Sequence, residues 1–167
     1  MISLPPLLGG TKLIAWRIDD DRHSQTWDSG EGAFRVGGRW NTKGVRTVYC
    51  SLDPATAILE VAVHKGFRIL DTVAHALTSL TILNASQVHV VQPFDVPNPA
   101  WLRPGSPGAG QQCFGDRLLA SHKFLAIPSA VSTFSWNLIF DPAKASGAYI
   151  MRSQERLALD TRLHPAS

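Results

Sequence analysis

An α+β domain, with mixed or antiparallel sheets and flanking helices, is the architecture this chain predicts. Three observations carry it. Short apolar runs of strand length outnumber helical segments. Only two segments carry good helix signals. Strands and helices do not follow the strict alternation of a parallel βαβ sheet. A chain of 167 residues suits one domain, large enough to bury its own core. The expected division is a single domain over 1–167, its core about 13–151, with 152–167 as a polar C-terminal tail carrying at most one short element.

Taken in order, Leu13-Ile14-Ala15-Trp16-Arg17-Ile18 reads as a first strand, stopped by Asp19-Asp20-Asp21. Residues 22–38 are polar, rich in glycine and serine, and read as a loop without periodicity; so long an irregular stretch is uncommon unless functional or mobile. Arg46 to Ser51 forms a second strand. Asp53-Pro54 then opens the best helix, with an acid at the N-cap, proline at the first helical position and Gly66 beyond the last turn. Phe67 to Leu83 is ambiguous. Gln87 to Phe94 alternates as a strand, and Pro93 to Gly110, with five prolines and three glycines, is a connecting loop. Cys113 to Phe124 is a second helix. Leu125 to Val131, Trp136 to Phe140 and Ala148 to Met151 complete the strands.

Composition narrows the function classes. Hydrophobic residues make up 44% and charged residues 17%, which excludes wholesale disorder. A net charge of +3 is too mild to demand nucleic acid. The 11 Arg against 5 Lys say more, because the arginine fork suits bidentate recognition of phosphate or carboxylate. Cys50, in an apolar run, reads as a buried free thiol, and with Cys113 it shows no metal-ligand spacing. Met1 to Leu8 is apolar but short, with two prolines and no basic flank, so it does not read as a signal peptide. The absence of an 18-residue apolar run argues against a transmembrane helix, and a reducing cytoplasm is the expected location.

The segment Gly37-Gly38-Arg39-Trp40-Asn41 combines a tight backbone turn, a forked cation and an indole able to wall a pocket. It lacks the spacing of a dinucleotide fingerprint or a P-loop. On the helix that follows, Ala57, Ile58, Leu59, Val61, Ala62 and Val63 cover nearly every direction, so it is expected to be buried on most sides. Its polar exceptions, Thr56, Glu60 and His64, share one stripe. Spacing alone favours a Glu60–His64 pair on an exposed strip. The cation-rich glycine segment upstream favours instead a carboxylate opening into a cleft, since a bare buried charge is costly. Arg17 is either a surface arginine covering Trp16 or a second anion ligand. Tyr49 is either core or a ring that stacks on a flat heterocycle. Ser129 and Asn137 are polar residues inside apolar runs, and without a Gly-x-Ser-x-Gly elbow a serine nucleophile is disfavoured.

Arg17, the Gly37–Asn41 segment with Gly44 after it, Tyr49, the helix Pro54-x-x-Ala57-x-x-Glu60, then Pro128-Ser129-Ala130-Val131 and Asn137, in this order, resemble the RES domain, over about residues 13–142. Two stretches depart from the family pattern: Phe140-Asp141-Pro142 has no histidine after it, and 93–110 matches poorly. The resemblance implies a fold similar to that of ADP-ribosyltransferase toxins such as diphtheria toxin. It implies the toxin half of a bacterial toxin–antitoxin module, degrading NAD by hydrolysis or phosphorolysis, or ADP-ribosylating a protein. Its partner would be an Xre-type helix-turn-helix antitoxin that blocks the active site; DNA would be met only through that complex. NAD would be substrate, with no further cofactor, metal or membrane. Arg39, Glu60 and Ser129 are then the catalytic candidates, with Arg17, Tyr49, Asn137 and Trp40 around the NAD pocket. A rival from another class is a non-enzymatic basic module binding nucleotides or nucleic acid, supported by a pI near 9.1; against it, the basic residues are dispersed.

Overall fold

Leu13 and Ala15 are fully buried and alternate with half-buried Ile14 and Trp16, the pattern of a strand packed on both faces. That strand, β1 (Leu13–Asp20), belongs to one seven-stranded sheet with β2 (Val48–Ser51), β3 (His75–Ile82), β4 (Val88–Val90), β5 (Phe124–Pro128), β6 (Trp136–Phe140) and β7 (Tyr149–Arg156). The spatial order is β4-β5-β6-β2-β1-β3-β7, and every pairing is antiparallel except β4 with β5. The computed structural model describes residues 12–101, 105 and 107–163. The opening run Met1 to Leu8 and the last four residues of the expected tail lie outside them. The mixed α+β architecture is as predicted.

One junction in this sheet matters for function. β1 and β2 share a single registered pair, Trp16 opposite Ser51, whereas β1 pairs with β3 along its whole length. The sheet therefore parts between β1 and β2, and the Arg17 guanidinium spans the gap by donating from Nη1 to the carbonyl of Tyr49 at 2.8 Å. Backbone groups that would otherwise be orphaned must find partners, and a side chain here supplies one.

Two apolar layers sandwich β5 and β6. Phe124, Leu138 and Phe140 point to a cluster with Leu13, Val48, Leu80 and Trp27, and Leu125, Ile127 and Ile139 point oppositely, to Trp40, Trp101 and Leu119. Each such side chain taken fully from water contributes roughly 1.5–3 kcal/mol before entropy is counted. Helix α4 (Ala109–Ser121) covers the second cluster. A third cluster, Ile18 with Ala57 and Leu70, seats helices α2 (Pro54–Lys65) and α3 (Phe67–Thr72) against β1.

Several expected boundaries move. The loop predicted over 22–38 contains a 3-10 turn, Asp21–Thr26, and a short helix α1 (Glu31–Val36). Six residues are too few to display a helical period, and left-handed Gly30 and Gly37 (φ 64° and 77°) begin and end the helix. The ambiguous stretch from Phe67 resolves into α3 and β3. The strand expected over 87–94 shrinks to Val88–Val90 between two 3-10 turns, the second opened by Pro93. The second helix starts four residues earlier than expected, and Phe124 opens β5 instead of closing the helix. The polar tail is corrected most. Residues 152–156 continue β7, paired with β3, with most side chains exposed. Hydropathy registers side chains, and this edge strand is held by its backbone. At Arg152 the register slips by one residue, and such a bulge protects an exposed edge from pairing with another chain.

Helix α2 begins as read from the sequence. Asp53 accepts from Thr56 N at 2.8 Å and Thr56 Oγ1 at 2.5 Å, Pro54 occupies the first turn, and Gly66 follows with φ 82°. Its expected burial on most sides is wrong. Only Thr56 and Ala57 are buried, while Leu59 and Val63 are 38% and 63% exposed. The helix rests on β1 by one face and leaves another along a cavity, so apolar composition overstated its contacts. Replacing Asp53 with Ala is expected to cost about 1 kcal/mol, read as a fall of roughly 2–4 °C in melting temperature. An unchanged melting temperature would show the cap to be idle. No helix among the described residues is long and apolar enough to cross a membrane.

Candidate active site

A cavity of about 470 Å³ opens where the sheet parts. Its walls come from β1, β2, α2, α1, the Gly37–Trp40 turn and the start of β6, and Arg17, Arg39, Trp40, Tyr49, Glu60 and Asn137 all line it. Ser129 is fully buried behind that wall, and its neighbour Ala130 reaches the surface of the cavity. All seven residues singled out from the sequence thus converge on one place.

Glu60 sits on the cavity face of α2. Ser129 Oγ donates to its Oε1 at 2.7 Å, and Asn137 Nδ2 donates to the same oxygen at 2.6 Å. Oε2 receives no hydrogen bond among the described residues. The carboxylate is thus gripped by one oxygen and presents the other. The Glu60–His64 pair favoured by spacing does not form. His64 lines the cavity, but the partners of Glu60 come from strands far away in sequence. Ser129 Oγ also accepts from Val131 N and Ser132 N, both at 3.1 Å. With its proton committed to Glu60 and its lone pairs to two amides, this hydroxyl positions the carboxylate.

The arginines differ. Arg17 is neither a surface arginine over Trp16 nor an uncommitted anion ligand. It donates from Nε to Trp27 O at 2.9 Å, from Nη1 to Tyr49 O at 2.8 Å and from Nη2 to Asp19 Oδ1 at 2.6 Å. Three of its five N–H groups therefore serve the fold. Burial raises the Asp19 carboxyl from its ordinary value, and the Arg17 charge opposes that shift. Arg39 lines the same cavity, and its Nη1 donates to Trp101 O at 2.8 Å. That bond ties the turn to the proline-rich 93–110 segment, from which Gly105 and Pro107 also reach the cavity.

Tyr49 is committed at its hydroxyl, which accepts from Trp40 N at 3.0 Å and donates to Asn41 Oδ1 at 2.7 Å. Only the ring face remains to meet a ligand. Burial pushes its phenol well above the ordinary value, so it stays neutral. Trp40 is 2% exposed and packs against Trp101 and Phe114, as much core as wall. Cys50 is a buried free thiol, as read from the sequence, pushed up to about 12 by burial and so no nucleophile at neutral pH.

The supports of the turn were missed. Asn41, fully buried, donates from Nδ2 to the carbonyls of Ala33, Thr42 and Val45. Three residues on one face of α4 clamp the turn from outside. Gln112 Nε2 donates to Gly38 O at 2.8 Å, Asp116 accepts from Thr42 N and Oγ1, and Gly115 lets the Trp40 backbone lie directly on the helix. Their spacing, i, i+3 and i+4, was available in the sequence. Nothing in it said that a turn some 74 residues upstream would dock there.

The RES domain profile matches residues 14–160. The chain belongs to the RES domain family. Its relatives within and around this family include a "Toxin Res" of Photorhabdus laumondii, 29% identical over 154 residues that span 90% of this chain and 97% of that protein. A "Prs ADP-ribosylating toxin" of a Sphingobium strain is 31% identical over 136 residues, 77% of this chain and 81% of its own. The RES fold also resembles a chain in the crystal structure of the Mycobacterium tuberculosis MbcT–MbcA toxin–antitoxin complex, with a TM-score of 0.69 and 19% identity over 87% of this chain and 84% of that one. Ser129 and Glu60, two of the residues the resemblance singles out, are hydrogen-bonded to each other, and Arg39 lines the same cavity as Glu60.

Proposed function

We propose that this RES-domain chain is the toxin of a bacterial toxin–antitoxin pair and that it cleaves the nicotinamide–ribose bond of NAD. The observation that carries the reading is Glu60, a carboxylate held through one oxygen with the other presented to a nucleotide-sized cavity that two arginines line. Relatives named as toxins support the biological role.

Cleavage releases neutral nicotinamide, so the leaving group needs no general acid. The barrier lies in forming an oxocarbenium-like ribose cation, as in glycoside cleavage. The presented Oε2 would lie against that cation and stabilise it, an effect that is greatest in a dry, preorganised site. Ser129 and Asn137 hold the carboxylate in place, so little reorganisation is needed as charge develops. Arg39 would hold the pyrophosphate by charge-assisted forked bonds. Arg17, with most of its donors committed to the fold, would contribute its positive field and its two remaining N–H groups. The Tyr49 ring and Trp40 would frame the nicotinamide and ribose. NAD is the substrate, and no other cofactor enters the proposal. An Xre-type helix-turn-helix antitoxin is the proposed partner, closing the cavity mouth in the cytoplasm.

A second reading keeps this site and transfers ADP-ribose to a protein, favoured by the relative named as a Prs ADP-ribosylating toxin. Incubating the purified chain with NAD, with and without phosphate, and reading the products by mass spectrometry separates these outcomes. Free ADP-ribose marks hydrolysis, and ADP-ribose-1″-phosphate marks phosphorolysis. Labelled NAD incorporated into an added protein marks transfer. Intact NAD in every arm would refute the proposal. In the same assay Arg39→Lys is expected to raise KM by about tenfold, since a point charge loses the forked bond, worth roughly 1.5–3 kcal/mol. An unchanged KM would remove Arg39 from substrate binding.

A further inference from the structure

Ser51 ends β2 directly opposite Asn137 of β6, and it is 3% exposed. Its hydroxyl donates to Asn137 Oδ1 at 2.8 Å, while Nδ2 of the same amide donates to Glu60 Oε1 at 2.6 Å. We infer that Ser51 is a positioning residue for the reaction, acting on Glu60 through the Asn137 amide.

An asparagine amide presents an oxygen on one side and an NH2 on the other, and only the NH2 attracts a carboxylate. Ser51 supplies the complementary donor for the oxygen, so the oriented amide is satisfied at both ends. A donor on Oδ1 also polarises the amide and strengthens the N–H bond it makes onward. The register of β2 against β6 makes the arrangement rigid. Side chains directly opposite on one face of an antiparallel pair are held at short range without help from a loop. Two residues after Ser51, Asp53 caps the helix that carries Glu60. One short segment therefore fixes the carboxylate from both sides, through the helix start and through the amide. Ser129 anchors the same oxygen from β5's far end by a separate route, its hydroxyl oriented by the amides of Val131 and Ser132. Ser51 itself touches the cavity wall but makes no bond to Glu60.

The inference rests on the proposed NAD reading for its kinetic arm, and a second readout is independent of it. The chain contains four asparagines, Asn41, Asn84, Asn98 and Asn137, so protein labelled with 15N-asparagine gives four side-chain amide pairs. The Asn137 pair is identified by its disappearance in Asn137→Asp. In the wild type it is expected to be shifted downfield and protected from solvent exchange. In Ser51→Ala that protection falls, and kcat for NAD falls about tenfold, the cost of one net hydrogen bond, while KM stays within about twofold. Ser51→Thr, which keeps the hydroxyl, restores both. Unchanged Asn137 protection in Ser51→Ala overturns the inference, as does unchanged kcat or a rise confined to KM. If the wild type leaves NAD intact, the proposed function falls, and the amide signal alone decides the role of Ser51.

Discussion

Replacing Glu60 with Gln is expected to lower NAD turnover at least about 100-fold, the scale seen when one preorganised electrostatic contact to a transition state is removed. The dissociation constant for NAD is expected to change by less than about threefold. The substitution is close to isosteric, and an amide oxygen can still accept from Ser129 and Asn137 as Oε1 does now. What disappears is the negative charge on the oxygen presented to the cavity. A loss confined to kcat identifies an interaction made in the transition state and not with the ground-state ligand. Stopped-flow binding alongside steady-state turnover measures both quantities. Turnover at the wild-type rate would exclude Glu60 from the chemistry. Loss of binding with an intact fold would make it a ligand contact only.

Gly115→Ala is expected to destabilise the protein by about 3 kcal/mol or more, at or beyond the upper end of overpacking costs. A Cβ at this position would lie 1.9 Å from the carbonyl oxygen of Trp40 and 2.6 Å from its carbonyl carbon. Both atoms are backbone, so no side chain can swing aside. Helix α4 must retreat from the turn, breaking the bonds from Gln112 to Gly38 and from Thr42 to Asp116. Arg39 and Trp40 would lose their placement with it. A fall of roughly 6–12 °C in melting temperature is expected for such a cost, together with loss of NAD turnover. Gly110→Ala in the same helix is the control, because its Cβ would meet nothing within 4 Å. It is expected to be neutral or slightly stabilising, since alanine is the better helix former. Equal effects of the two substitutions would show that helix propensity and not contact with Trp40 governs position 115.

Part of the site is legible in local chemistry, and the rest of its residues, Ser129 and Asn137 among them, are indicated only by the resemblance to the RES domain. Gly37-Gly38 ahead of Arg39 and Trp40 announced a tight turn carrying a cation and an indole. The actual constraint is at Gly38, where a Cβ would lie 2.5 Å from the Tyr49 hydroxyl. Asp53-Pro54 announced a capped helix, and the cap is there. The resemblance puts Tyr49 and Arg17 around the ligand, yet most of their polar atoms serve the fold. That difference was hidden because their partners, Trp40 N, Asn41 and the carbonyls of Trp27 and Tyr49, are main-chain or distant groups. The contacts of Ser51, Gln112, Gly115 and Asp116 are hidden in the sequence for the same reason.

The sequence by itself determined the α+β class, the start of the helix that bears Glu60 and the buried thiol at Cys50. These follow from propensities, caps and burial, each set by a few neighbouring residues. Only the tertiary structure decided which oxygen of Glu60 is held, that Ser129 and Asn137 hold it, and that Arg17 closes the break between β1 and β2. It also decided that α2 is exposed along much of its surface and that the polar segment after Met151 is a strand. The reason is common to all of these. Hydrogen-bond partners and sheet edges are set by which strands lie side by side, and that order joins Glu60 to positions 69 and 77 residues away.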